Sequence, residues 1–234
     1  MTFRDRLAKS AERHGPIILA ADTTHRTVQN ITYNMNNLND HICAIKMNFQ
    51  VLLTLGIAEI KEITDAAHAR DLQCIADIKL NDINNTNLDT SDILWRAGFD
   101  AIIANPIMGP EALSALVQKA HSVDNGIISL CHMSSSEGAV SYELQVGGGP
   151  LYKKFLEWGL AAKVDGVIVG ATFPEIISAC KHEAKDRLDI LSPGIGVQGG
   201  SAQTSFANGT DYIIVGRTLL NAKNPSEMAI SILS

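Results

Sequence analysis

The chain has 234 residues, of which 46% are hydrophobic and 19% charged, with a formal net charge of −6 and a sequence pI of about 5.6. This composition is typical of a globular protein long enough to bury a sizeable core, and its acidic balance argues against nucleic acid or an anionic membrane as a partner. An anionic small molecule stays possible as a ligand, but it would need a local cationic site.

Eight short apolar segments rich in β-branched residues recur along the chain, and we interpret each as a buried β-strand. In chain order they cover residues 16–22, 41–47, 74–80, 101–105, 126–133, 166–170, 189–195 and 211–217. Stretches of helical length and pattern separate them. Two of these, residues 109–122 and 173–186, begin with Pro followed by Glu, which is a helix-start signal.

Strands that alternate with helices indicate right-handed β-α-β units around a parallel sheet. Eight such units, with an additional helix at the N-terminus, predict a single (β/α)8 barrel domain over residues 1–234. A doubly wound open sheet is the alternative. A Rossmann fold, however, would carry G-x-G-x-x-G just after its first strand, and the segment LAADTTHR has no glycine there.

The four cysteines indicate a reducing compartment. None forms a C-x-x-C pair, and three lie in apolar strand-like segments. We therefore expect reduced core thiols, which suits a cytoplasmic protein. The first 15 residues lack the apolar region of a signal peptide, and no apolar run approaches the roughly 18 residues of a membrane span.

The third predicted strand ends in a cluster of charges, DIKLND. Residues two apart in a strand share a face, so Asp77 and Lys79 should both point into the barrel while Ile78 faces the helices. Lys46 should point inward at the end of the second strand by the same argument. Asp82 lies beyond the end of the strand, so the alternation of faces along the strand does not predict where its side chain points. A purely structural ion-pair network would add little net stability, because desolvation offsets the attraction. The cluster therefore favours a functional site at the carboxyl ends of the strands.

A second functional signal follows the last two strands. The segment LSPGIGVQGGSAQ, residues 191–203, contains four glycines, which permit close backbone approach to a ligand. In IIVGRTLL, residues 213–220, a strand runs into a glycine, an arginine and a helix start. Backbone N–H groups at a helix start attract phosphate and Arg217 can bind it bidentately. Because loops after strands seven and eight form the common phosphate site of a (β/α)8 barrel, we predict phosphate binding here.

Six segments together resemble the orotidine 5′-monophosphate decarboxylases, above all their short microbial, especially archaeal, form: AAD at Asp22, IKM at Lys46, DIKLNDINNT, HMSSSEGA, SPGIGVQGG and VGRT. The resemblance extends from the first predicted strand to the last. It implies an enzyme that converts orotidine 5′-monophosphate into uridine 5′-monophosphate and CO2 in pyrimidine biosynthesis, without a metal or a cofactor.

The resemblance also implies roles for individual residues. Lys79 would protonate C6 after CO2 leaves, Asp77 would face the substrate carboxylate, and Lys46 would orient Asp77 and bond the ribose. Asp82 would act in the active site of the neighbouring subunit, which implies a homodimer with shared sites. The remaining matched positions would bind substrate: Asp22, Thr86, Ser134, Pro193, Gly194, Gln198, Gly216 and Arg217.

The chain departs from the family pattern at three asparagines. Asn84 and Asn85 replace the Pro or Gly with Glu often found before the threonine, and Asn105 stands where many members have histidine. Two other functions are compatible with parts of this sequence. One is a Mg²⁺-dependent sugar-phosphate decarboxylase or aldolase, which shares D-x-K-x-x-D but typically has a metal-binding Glu in place of Lys46. The other is a phosphate-ligand-binding barrel without turnover, against which the intact charged cluster argues.

Overall fold

A computed structural model describes residues 1–234 as a closed barrel of eight parallel strands. Each strand pairs with the next along the chain, and the first pairs with the last, where Ile17 lies opposite Ile213. The strands are β1 (Ile17–Ala20), β2 (Ala44–Asn48), β3 (Gln73–Leu80), β4 (Ala101–Ala104), β5 (Gly126–His132), β6 (Gly166–Val169), β7 (Asp189–Pro193) and β8 (Tyr212–Val215). The predicted (β/α)8 barrel is therefore confirmed, and the open sheet is excluded.

Helices follow the strands and cover the outside of the barrel. They are α1 (Phe3–His14), α2 (Val28–Asn37), α3 (Phe49–Leu52), α4 (Ile57–His68), α5 (Asn84–Arg96), α6 (Pro110–His121), α7 (Glu137–Ser141), α8 (Leu151–Ala162), α9 (Pro174–Ala184), α10 (Ala202–Ala207), α11 (Arg217–Leu220) and α12 (Pro225–Leu233). Both predicted Pro-Glu signals begin helices, at Pro110 and Pro174. The N-terminal helix α1 starts with a capping box between Thr2 and Asp5.

The core consists of one cluster of 65 buried hydrophobic residues. Every strand is apolar along most of its length, because the inner face fills the barrel and the outer face packs against helices. All four cysteines are buried and unpaired, as expected from the sequence. No helix is long and apolar enough to cross a membrane. Between β5 and α8 the chain forms α7 and a two-residue hairpin, Gln145–Val146 with Gly149–Pro150.

Candidate active site

The carboxyl ends of the strands surround a cleft of about 900 Å³. Ten of the twelve predicted site residues line this cleft, and only Asp82 and Thr86 lie outside it. Its floor is apolar and is formed by inward-facing side chains of the barrel, namely Ala20, Ile103, Leu130, Ile168 and Ile214. A dry floor beneath charged walls strengthens electrostatic interactions within the cleft.

Asp77 lies between two ammonium groups. Its Oδ2 is 2.6 Å from Lys46 Nζ and its Oδ1 is 2.7 Å from Lys79 Nζ. The Lys46 and Asp77 side chains are buried, with exposed fractions of 7% and 10%, whereas the Lys79 side chain is 38% exposed. Lys79 is thus the member of the triad that a ligand in the cleft can reach most easily.

The surroundings keep Asp77 and Lys46 charged. Burial alone would raise the pKa of Asp77, but Lys46 and Lys79 outweigh it and hold that pKa below its usual value. Burial alone would lower the pKa of Lys46, but the carboxylates of Asp77 and Asp22 outweigh it and raise that pKa. The ionised Asp77 carboxylate paired with the Lys46 ammonium group is therefore the stable form at neutral pH.

The end of β3 is irregular at the triad. Ala76 pairs with Ile102 and Leu80 pairs with Ala104. Between these two pairs, β3 advances by four residues whereas β4 advances by only two. Lys79 lies within this bulge and has a positive φ of 47°, a conformation that is uncommon for residues other than glycine. As parity predicts, Asp77 and Lys79 line the cleft and Ile78 does not, but the strand is not regular there.

Asp22 follows β1 and lies near the triad. Its Oδ1 is buried without a hydrogen-bond partner, and Asp22 lines the cleft together with Lys46. Buried polar atoms in folded proteins normally have partners, so an unpartnered carboxylate oxygen in a cleft suggests that a ligand supplies the donor.

The glycine-rich segment after β7 forms a compact loop over one side of the cleft. Gly194, Gly196 and Gly199 all have positive φ, and backbone hydrogen bonds link Gly196 to Gly199 and Gly200. A methyl group added at Gly194 would lie 3.0 Å from Ser134 Cβ and 3.2 Å from Gln198 Oε1. Ser134 and Gln198 therefore both lie close to Gly194 at this side of the cleft.

Gly216 and Arg217 lie beside this loop. Gly216 precedes α11, Arg217 is its exposed first residue, and both line the cleft. A methyl group at Gly216 would lie 3.2 Å from Ala20 Cβ, so the chain passes close to β1 there. The predicted phosphate end thus forms one wall of the cleft, with Gln198 at its rim.

Asp82 and Thr86 are exposed outside the cleft. Asn87, which is fully buried, fixes the backbone of Asp82: its Oδ1 accepts a 2.9 Å hydrogen bond from Asp82 N, and its Nδ2 donates a 2.6 Å bond to Asp82 O. The chain therefore holds Asp82 in a defined place, at the surface and away from its own cleft.

Sequence reasoning missed Asn87 and Thr218, although each directly follows a predicted site residue. It also left three asparagines unexplained. Asn84 and Asn85 form the exposed first turn of α5. Asn105 accepts a 3.1 Å hydrogen bond from Ile107 N and caps the short turn Pro106–Met108, so it lies beside the cleft rather than in it.

A further group of possible metal ligands lies at the opposite end of the barrel. His68, Cys74 and Asp100 have ligand atoms within 4.8 Å of one another. Asp100, however, already pairs with Arg6 at 3.1 Å and with His68 at 2.8 Å, and it accepts a hydrogen bond from Cys74 N. Burial also raises the pKa of the Cys74 thiol well above its usual value. These contacts favour an ion-pair network over a metal site.

The chain is similar to proteins of one family. A sequence model described as the orotidine 5′-phosphate decarboxylase / HUMPS family matches residues 15–232. The orotidine 5′-phosphate decarboxylase of Methanosarcina mazei is 33% identical over 221 residues, which cover 94% of each chain. Leishmania donovani OMP decarboxylase, a solved structure, has a TM-score of 0.86 and 25% identity, covering 99% of this chain and 96% of that one. The orotidine 5′-monophosphate decarboxylase of Methanocaldococcus jannaschii, complexed with inhibitor BMP, has a TM-score of 0.80 and 26% identity, covering 92% and 94%.

Proposed function

The chain belongs to the orotidine 5′-phosphate decarboxylase / HUMPS family, and from this premise we propose that its cleft decarboxylates by electrostatics alone, with Lys79 as the proton donor. The reaction is the conversion of orotidine 5′-monophosphate into uridine 5′-monophosphate and CO2 in pyrimidine biosynthesis. The observation that carries the mechanism is the carboxylate of Asp77 between the ammonium groups of Lys46 and Lys79.

Loss of CO2 from this substrate leaves an electron pair in an sp² orbital at C6, which the ring π system cannot delocalise. An enzyme without a covalent electron sink must lower the barrier by electrostatics and positioning, and enzymes achieve reductions of roughly 8–23 kcal/mol. Lys79 is the accessible ammonium of the triad, so it can stabilise the developing negative charge and then donate its proton to C6.

Asp77 and Lys46 prepare the site for that step. The Asp77 carboxylate would face the substrate carboxylate and repel it in the ground state, and this repulsion disappears as CO2 departs. We rank this effect below stabilisation by Lys79, because only the latter grows with the developing charge. Lys46, almost fully buried, keeps Asp77 in place and ionised, and with Asp22 it would bind the ribose.

Phosphate binding at the other end of the cleft would provide energy for closure. Arg217 and Gly216 form the proposed phosphate site, while Gln198 and Ser134 would hold the base. Because the phosphate is remote from C6, its binding energy can drive loop closure and thereby raise the rate at the reacting carbon. Similarity to a relative complexed with an inhibitor, BMP, supports a small-molecule substrate in this cleft.

The donor set of the cleft supports a reaction without a metal or cofactor. Both oxygens of Asp77 already accept hydrogen bonds from ammonium groups, and Lys46 stands where metal-dependent relatives typically carry a glutamate. Two neighbouring ammonium groups repel a divalent cation. These features disfavour the alternative function of a Mg²⁺-dependent sugar-phosphate decarboxylase or aldolase.

We also propose that the enzyme is a homodimer in which Asp82 completes the neighbouring active site, accompanied by Thr86. Two large apolar side chains support this surface: Ile83 is 73% exposed and Ile107 is 58% exposed. The contact between Asn87 Nδ2 and Met108 Sδ, at 3.1 Å, links their two segments.

Four reduced, buried cysteines support a cytoplasmic location.

The decisive experiment follows the absorbance loss of orotidine 5′-monophosphate in the presence of EDTA. We expect full turnover without added metal, and no turnover by Lys79→Ala, which should still bind uridine 5′-monophosphate. Lys153→Ala, at an exposed lysine on α8, is the matched control and should keep wild-type activity. Turnover that needs Mg²⁺ would instead favour a metal-dependent relative, and substantial activity of Lys79→Ala would remove Lys79 as proton donor.

A further inference from the structure

The hydroxyl of Thr218 joins the two sides of the proposed phosphate site. Thr218 Oγ1 donates a 3.1 Å hydrogen bond to Ile195 O and accepts a longer one, 3.4 Å, from Val197 N. Thr218 belongs to α11, immediately after Arg217, whereas Ile195 and Val197 belong to the loop that carries Gln198. A single side chain thus bridges the arginine and the loop.

The packing around this hydroxyl leaves little freedom. A methyl group added at Gly196, between the two bonded loop residues, would clash with Thr218 Oγ1, and Gly196 also has a φ of 76°. Glycine is therefore required at this point of the loop, both for its conformation and for the close approach of the threonine. The loop is shaped to receive a side chain at position 218.

We propose that Thr218 is a positioning residue that couples phosphate binding at Arg217 to the placement of the Gln198 loop. This inference rests on the proposed function and names a residue for it that the motif comparison did not assign. The Thr218 hydroxyl donates one hydrogen bond to the loop and accepts another from it, so the proposed role of Thr218 is exerted through the loop.

The coupling follows from the short connection. A phosphate held by Arg217 restrains the residue next to it, and the hydroxyl of that residue restrains the loop at Ile195 and Val197. Without the hydroxyl, the loop backbone loses its tether, and the phosphate no longer helps to place Gln198. From the net strength of ordinary hydrogen bonds, we expect about a fivefold to tenfold loss in the affinity that the phosphate contributes.

The test compares uridine 5′-monophosphate with uridine, which lacks the phosphate, by titration calorimetry. Thr218→Val should raise the dissociation constant of the nucleotide about fivefold to tenfold and leave that of uridine unchanged. Thr218→Ser, which keeps the hydroxyl, should restore nucleotide binding. Thr218→Ala is the second variant without a hydroxyl and serves if the valine variant does not fold.

Thr172→Val is the matched control, because the Thr172 hydroxyl donates a comparable 2.9 Å bond to Ser134 O on the base side of the cleft. It should change the affinities of nucleotide and uridine by the same factor. If Thr218→Val weakens both ligands equally, or neither, the coupling is disproved. If the wild type binds both ligands equally well, the phosphate site itself is wrong, which is a failure of the proposed function.

Discussion

The side chain expected to meet the reacting carbon, Lys79, has a backbone conformation that lysine rarely adopts. Its φ of 47° lies in the left-handed region, where a side chain costs about 1–2 kcal/mol relative to ordinary helical backbone. The irregular pairing at the end of β3 and the salt bridge to Asp77 hold it there. Strain of this kind at a site residue is consistent with pre-organisation of the ammonium group.

This strain predicts an unusual order of stability between two inactive variants. Lys79→Gly should be more stable than Lys79→Ala by about 1 kcal/mol, because glycine accepts a positive φ without steric cost. Urea denaturation of both variants measures the difference. The control pair at Lys61, in the middle of α4, should show the opposite order by about 1 kcal/mol. Equal stability of the two Lys79 variants would mean that its backbone is not strained in solution.

At the scale of elements, the opposite end of the barrel is built from a repeated contact. An aspartate just before each of three strands accepts a 2.8 Å hydrogen bond from a backbone N–H of the preceding strand: Asp100 from Cys74, Asp165 from Ile127 and Asp211 from Ile190. A basic side chain from the last turn of a helix contacts each aspartate: His68 of α4, His121 of α6 and Lys181 of α9. This network joins strand pairs to helices, so it serves stability rather than chemistry.

The contact between His68 and Asp100 predicts a pH-dependent stability. The hydrogen bond from His68 Nε2 to Asp100 raises the pKa of His68, and burial opposes this only in part. Because the folded-state pKa lies above the unfolded value of about 6.5, the stabilisation is complete below about pH 6.5 and is lost as pH rises through the folded-state pKa. Its size should stay below about 1 kcal/mol, because the His68 side chain is 39% exposed.

Urea denaturation at about pH 6 and about pH 9 tests this. The wild type should lose more unfolding free energy between these pH values than His68→Gln does. His182→Gln, at an exposed histidine of α9, is the control and should keep the wild-type pH dependence. The same pH dependence in wild type and His68→Gln would contradict the assignment.

At the scale of the whole molecule, the barrel separates stability at its amino-terminal face from chemistry at its carboxyl-terminal face. One member of the proposed charged set, Asp82, is nevertheless exposed outside the cleft of its own chain. Two hydrogen bonds from the buried Asn87 side chain hold the backbone of Asp82 in this position. We infer that a second copy of the chain places Asp82 at the active site.

Mixed dimers test the shared site. Lys79→Ala and Asp82→Ala should each be inactive alone, whereas an equal mixture after subunit exchange should recover about one quarter of wild-type activity. Half of the dimers are then mixed, and each contains one intact site. Mixing Lys79→Ala with Lys46→Ala is the control and should recover none, because both lysines serve the same subunit's site. Mixed dimers that form without activity would disprove the contribution of Asp82 across the interface.

The eight strands, the helix starts and most of the site were predictable from sequence because each depends on local chemistry. Strand periodicity follows from burial on both faces, and proline with glutamate marks a helix start wherever it occurs. The alternation of side chains along a strand was enough to predict that Asp77 and Lys79 point into the cleft. The order of the strands was enough to predict that the glycine-rich loop lies beside Arg217. The function itself became specific only through the resemblance of six segments to one family.

Contacts between distant segments could not be predicted in this way. The bulge at Lys79 depends on how β3 pairs with β4, and the hydrogen bonds of Thr218 depend on how α11 packs against the loop after β7. Each is a hydrogen bond or a register between residues whose approach only the closed barrel determines. The sequence by itself therefore determined ten of the side chains that line the cleft, because strand alternation and chain order are local properties. The tertiary structure decided the distances between them, the strained backbone of Lys79 and the position of Asp82 outside its own cleft, because these depend on how the chain packs.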